Sequence, residues 1–166
     1  MSPRNSNKRA FEDMPWFPDW IRVLMTRYIM TFHKILGTAG LLEKLVEKGL
    51  QNLAGMNWRD FSVLLDTAFT RQGYTVTPLT GAADMLLEKK GVRTVVSAKR
   101  WKAAAMGLEP LRELVAHRDA LEASNSVCIS LGQVSTKAED YAAEHRITLI
   151  TGADLVILVD KEVKAL

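Results

Sequence analysis

The sequence predicts a mixed α/β domain, a sheet of antiparallel and parallel strands with helices on both faces, preceded by a helical N-terminal extension. Three observations predict it. An amphipathic stripe of Trp58, Phe61, Leu64, Leu65, Ala68 and Phe69 is followed by strand-like runs at 74–79, 83–89 and 93–98, each bounded by Gly, Pro or a charged turn. Two later runs, 126–131 and 147–150, are almost continuously apolar, as strands buried on both faces are. Helical segments alternate with them, so the order αβββαβαβ reads as a three-strand meander continued by αβ crossovers.

Each element has a local cause. Asn57 is a good N-cap for the first domain helix, with Asp60 three residues on, and Gly73 closes that helix. The turn Lys89-Lys90-Gly91-Val92 is short enough to fix the register of a hairpin. A helix follows over 108–117, with Pro110 tolerated in its first turn. Ser135 caps another that runs to His145, and residues 152–160 read as a closing turn of helix or strand.

Upstream, residues 1–13 read as a disordered tail, and Trp16, Phe17 and Trp20 among Pro15 and Pro18 form an aromatic entry to a helix. From Ile21, apolar residues recur at helical spacing through Leu36, and a second stripe from Leu41 to Leu50 ends at Gly55. The expected division is therefore 1–55, tail and helical extension, and 56–166, the α/β domain. Arg22, Arg27, His33 and Lys34 interrupt the apolar stretch of the first helix, so no membrane span is expected there. Packing on the domain or on a second copy, as a homodimer, is the favoured reading of these helices, and docking on a membrane surface is the alternative.

Composition narrows the class. The 166 residues carry a net charge of +3 and a charged fraction of 25%, ordinary for a globular protein and compatible with an anionic partner. The one cysteine, Cys128, cannot make an intrachain disulfide and reads as core filling; with no secretory signal in 1–15, a reducing, cytoplasmic setting is expected. His33, His117 and His145 share no metal-ligand spacing, and no phosphate-binding glycine loop or serine-histidine pair is present.

The residues with chemistry lie on the hairpin. Asp84 opens its first strand and Lys99 follows its second, so an antiparallel pair brings together a carboxylate that can hold a divalent metal and an ammonium that can polarise a phosphate or water. The plainer alternatives are a strand-start acid and a solvated basic strand end. Lys89, Lys90 and Arg93 form the expected exposed basic group at the hairpin tip, suited to sequence-independent phosphate contacts. Arg100 and Lys102 are candidate phosphate clamps beside Lys99, while Trp101 is expected to pack rather than stack on a base.

Landmarks in a fixed order resemble the Mrr-type restriction endonuclease domain, a branch of the PD-(D/E)XK nucleases. They are Met56-Asn57-Trp58-Arg59-Asp60-Phe61, Phe69, Gly73-Tyr74-Thr75-Val76, Gly81-Ala82-Ala83-Asp84, Ala98-Lys99-Arg100-Trp101, Glu113-Leu114, and the later runs from Ser130 to Ala138 and from Ile147 to Leu155. The resemblance covers residues 56 to 159. It implies an αβββαβ core and Mg²⁺-dependent hydrolysis of DNA phosphodiesters in a bacterial restriction setting. Asp84 and the Ala98 carbonyl would hold the metal, and Lys99 would orient water or steady the developing charge.

Two departures bear on activity. Ser62 stands where the family has a helix acid after Phe61, and Ser97 stands in the catalytic triplet where Glu or Gln is expected two before the lysine. Each removes a long side chain able to reach a metal. A migrated carboxylate, Glu109 or Glu113, is one expected compensation. Two functions follow: a divergent metal-dependent DNA endonuclease, or a catalytically degenerate descendant that binds DNA or a protein partner without cutting.

Overall fold

A computed structural model of the chain describes residues 39–98 and 101–163. The first helix expected from Ile21 lies outside the described residues. Helix α1 spans Ala39–Gly55 and α2 Trp58–Arg71; the meander follows as β1 (Thr75–Pro78), β2 (Met85–Lys89) and β3 (Val92–Ser97). Next come β4 (Ala105–Met106), α3 (Glu109–Ala120), β5 (Asn125–Ser130), β6 (Gln133–Val134), α4 (Thr136–Glu144), β7 (Ile147–Thr151) and α5 (Gly152–Val163).

The five-stranded sheet has the order β1-β2-β3-β5-β7. Its first three strands are antiparallel neighbours, and β3, β5 and β7 run parallel, joined by crossovers through α3 and α4. The caps behave as their chemistry requires. Asn57 Oδ1 accepts the Asp60 amide at 2.9 Å, Ser135 Oγ accepts the Ala138 amide at 3.3 Å, and Gly73 leaves α2 at φ +84°. The hairpin turns through Lys90 (φ 51°) and Gly91 (φ 76°), two left-handed residues whose twist matches the strands they join.

Leu86, Val95, Cys128 and Ile147 on one face of the sheet meet Leu111 and Leu114 of α3 and Ala138 and Ala142 of α4. Helices α2 and α5 pack against one another, α2 also meeting β1 and α5 meeting β5 and β7. Gly49 of α1 comes so near α5 that a Cβ there would stand 2.6 Å from Val156 Cγ1. Gly49 and Leu53 thus belong with the α/β unit, which spans Lys44–Leu166, rather than with an extension ending at residue 55.

Relative to the sequence expectation, the structure decides one element between its two alternatives and adds another. Residues 152–163 form a helix, because Leu155, Val156, Leu158 and Val159 bury an apolar stripe at helical spacing. A second, two-stranded parallel sheet pairs β4 with β6, a pairing that such short segments do not announce. It forms where the connection after β3 lies against the loop after β5, so close that a Cβ on Gly132 would collide with the Ala103 carbonyl oxygen.

Candidate active site

The carboxyl ends of β3, β5 and β7 and the amino end of β2 meet at one end of the sheet, the usual place for function in open α/β sheets. One step beyond the Met85–Val96 pair, the register sets Asp84 opposite Ser97, and Ser97 is in turn opposite Cys128. Facing residues in register share a face, so Asp84, Ser97 and Cys128 lie on the side covered by α3 and α4.

Asp84 is tied into this junction through backbone and side chain. Its amide donates to the Val96 carbonyl at 2.7 Å, its carbonyl accepts the Leu79 amide at 2.8 Å, and its Oδ2 accepts the Ala98 amide at 2.7 Å. The carboxylate therefore latches the start of β2 to the end of β3. The loop before it turns at Gly81, whose φ of +107° only glycine adopts readily, with the His117 imidazole packed against it.

Lys99 and Arg100 lie outside the described residues, between Ala98 and Trp101. The Ala98 carbonyl, expected as a metal ligand, accepts the Trp101 amide at 2.9 Å, leaving one of its two lone-pair directions for another partner. Trp101 is buried and stacked on Phe61, and the exposed Lys102 places its ammonium 5.1 Å from the Trp101 ring centroid. Trp101 thus packs within the domain.

The hairpin-tip cations are elsewhere. They sit at the opposite end of the sheet, with Lys89 about 17 Å along the strand from Asp84. The expectation of an exposed basic trio also needs correction. Lys90 is exposed, but Lys89 donates to the Gln72 carbonyl and lies over the Tyr74 ring, because that lysine reaches back across the C-terminus of α2. Arg93 donates to the Leu121 carbonyl at 2.8 Å and pairs with Glu88 at 3.4 Å.

Neither expected compensation for the two serines is assembled. Ser62 donates its hydroxyl to the Arg59 carbonyl of its own helix. Glu109 pairs with Arg112 at 2.9 Å on the exposed side of α3, and Glu113 is exposed. Among the described residues, no three His, Cys, Asp or Glu side chains converge on a point that would hold a metal ion. Mg²⁺ usually takes one or two carboxylates, with waters and substrate phosphates completing the octahedron. Asp84, the Ser97 hydroxyl and the Ala98 carbonyl meet the lower limit of that requirement. They fit an ion that brings phosphate oxygens with it and fall short of a site closed by protein alone.

The sequence did not reveal how close Cys128 lies to Asp84; register, not spacing, joins them. The thiol donates to Met106 Sδ at 3.3 Å, and burial, with a smaller contribution from the Asp84 charge, pushes its pKa up to about 12. Both causes disfavour the thiolate, the form that reacts. At pH 8 the native protein should therefore resist a disulfide thiol reagent and yield one equivalent once unfolded, followed by absorbance. Because the folded pKa is raised, the stability that this thiol contributes is complete below about pH 9, the ordinary value for a thiol, and declines as pH rises towards 12.

A five-stranded mixed sheet with this meander, crossover order and polar carboxyl end is the restriction endonuclease-like fold. The family model described as restriction endonuclease, Mrr_cat, matches residues 53–159, and the chain belongs to that family. A crystal structure of a protein of unknown function is similar at 13% identity and TM-score 0.48 over 71% of this chain. The chain spans 66% of that protein's length, a little under two thirds, and the likeness is too slight to bear on function. No curated protein matches the chain.

Among the described residues, no helix is long and apolar enough to cross a membrane.

Proposed function

We propose that this protein is a divergent DNA endonuclease that hydrolyses phosphodiester bonds in the cytoplasm, with a divalent ion shared between Asp84 and the DNA itself. The observation that supports this reading best is the junction of β2 and β3, where an aspartate fixed by the Ala98 amide stands opposite the first residue of Ser97-Ala98-Lys99. A divalent ion at this position supplies Lewis-acid polarisation of a phosphoryl oxygen. Asp84 offers the carboxylate, the Ala98 carbonyl a second oxygen, and Ser97 a hydroxyl suited to hold a water. Lys99 supplies the positive charge that steadies the phosphorane-like transition state, and Arg100 and Lys102 bind neighbouring phosphates.

A second reading has its own observation. Ser97 and Ser62 both lack the reach of an acid or amide, which favours a descendant that binds DNA or a protein partner without cutting. Supercoiled plasmid incubated with Mg²⁺ or Mn²⁺ separates the two. Nicked or linear product that disappears in Lys99→Ala supports the endonuclease. Retention of DNA that weakens steeply with salt, without product under either ion, removes it and leaves the binder.

A further inference from the structure

The β4–β6 ribbon stands at the same end of the sheet as Asp84, because β4 follows the carboxyl end of β3 and β6 that of β5. Four amide-to-carbonyl bonds hold it there. Trp101 donates to Ala98, Leu131 to Trp101, Gln133 to Ala104 and Ser135 to Met106, at 2.7 to 3.3 Å.

Its two faces differ. Met106 is buried, and the half-buried Val134 packs with it into the core beneath α3 and α4. Ala105 and Gln133, partners in register, are both exposed. Successive residues of a strand point to opposite sides, so these two form the outer face. With only a methyl group beside it, the Gln133 carboxamide is the polar group of that face, donor and acceptor together.

Exposed lysines flank the ribbon, Lys102 before β4 and Lys137 after β6. Among the described residues, neither pairs with a carboxylate. Of the acids nearby in the chain, Glu109 pairs with Arg112, Glu139 lies in the first turn of α4, where the helix dipole offsets its charge, and Asp140 is exposed. At the opposite pole, Lys89 and Arg93 are committed to backbone carbonyls.

We propose that the β4–β6 ribbon is the wall against which duplex DNA lies, with Lys102 and Lys137 on backbone phosphates and Gln133 at a groove edge. The proposal deepens the DNA reading and rests on it, though not on cleavage. Cations unmatched by acids suit a polyanion, and a carboxamide between them can bond base edges. Because the ribbon is already fixed to the domain, little ordering is lost on binding.

The test is a salt titration of DNA retention with the full chain, a short duplex and EDTA, so that no cutting intervenes. Each lysine–phosphate contact contributes about 0.9 to the slope of log K against log salt. Lys102→Gln and Lys137→Gln should each flatten the slope by about that amount, and the double variant by about 1.8, while Lys90→Gln at the far pole leaves it unchanged. Gln133→Ala should weaken binding about threefold to tenfold at every salt concentration with the slope intact, as loss of an uncharged hydrogen bond does. Circular dichroism checks that these exposed substitutions leave the fold in place.

An unaltered slope in Lys137→Gln overturns the proposal, and so does full affinity in Gln133→Ala. An equal flattening in Lys90→Gln also overturns it, since that reports net charge alone, and so does wild-type protein that retains no duplex at low salt. Plasmid cleavage under Mg²⁺ or Mn²⁺ judges the nuclease reading separately. Product from a protein whose lysine variants keep the wild-type slope sinks the ribbon and spares the nuclease; flattened slopes without product do the reverse.

Discussion

Asp84→Asn should abolish most DNA cleavage while leaving the fold intact. The amide oxygen of asparagine can still accept the Ala98 amide, so the latch between β2 and β3 survives in neutral form. What disappears is the charge, and among the described residues no cluster of three His, Cys, Asp or Glu side chains stands ready to replace it. Loss of a single group stabilising transition-state charge costs on the order of 10² to 10³ in kcat. Asp84→Ala is the harsher change, because it also leaves the buried Ala98 amide without its acceptor, at about 1–3 kcal/mol. DNA binding without metal should hold or tighten in Asp84→Asn, since a negative charge facing phosphate has gone. Single-turnover nicking assays with gel-shift titrations measure both, and an asparagine variant that cuts at the wild-type rate would remove Asp84 from the chemistry.

Phe61→Ala should produce the largest loss of stability. Phe61 is fully buried in α2 and stacks against Trp101, so its truncation removes apolar burial and opens a cavity beneath the indole. Such a change costs about 3–5 kcal/mol. Set against a total of about 5–15 kcal/mol for a native domain, that is a large share. The expected fall in Tm is roughly 10–20 °C for a unit of this size. Differential scanning calorimetry measures it directly. Phe61→Leu, which retains more of the volume, should lose less than half as much, and equal losses would mean that the ring geometry matters more than the space it fills.

The fold was largely legible because its signals are local. Asn57 and Ser135 cap helices wherever they precede an apolar stripe, Lys90-Gly91 dictates a tight hairpin, and the apolar runs at 126–131 and 147–150 had to be buried strands. The ordered landmarks carried the family, which the match over residues 53–159 confirms. What was not legible depends on three-dimensional approach. The pairing of β4 with β6 is created by contact between two connections, Lys89 is diverted by a carbonyl seventeen positions away, and α1 joins the domain through a glycine. At the candidate site, the pairing of Asp84 with Ser97 follows from the hairpin register, whereas the closeness of Cys128 follows from a crossover whose register no spacing encodes.

The inertness of Cys128 gives experimenters a practical opening. This is the chain's one native sulfhydryl, so a cysteine introduced at the exposed Lys90 would accept a fluorophore alone, with no need to strip the wild-type background first. A dye there sits at the pole remote from Asp84, where it can test whether DNA approaches the protein without crowding the candidate site.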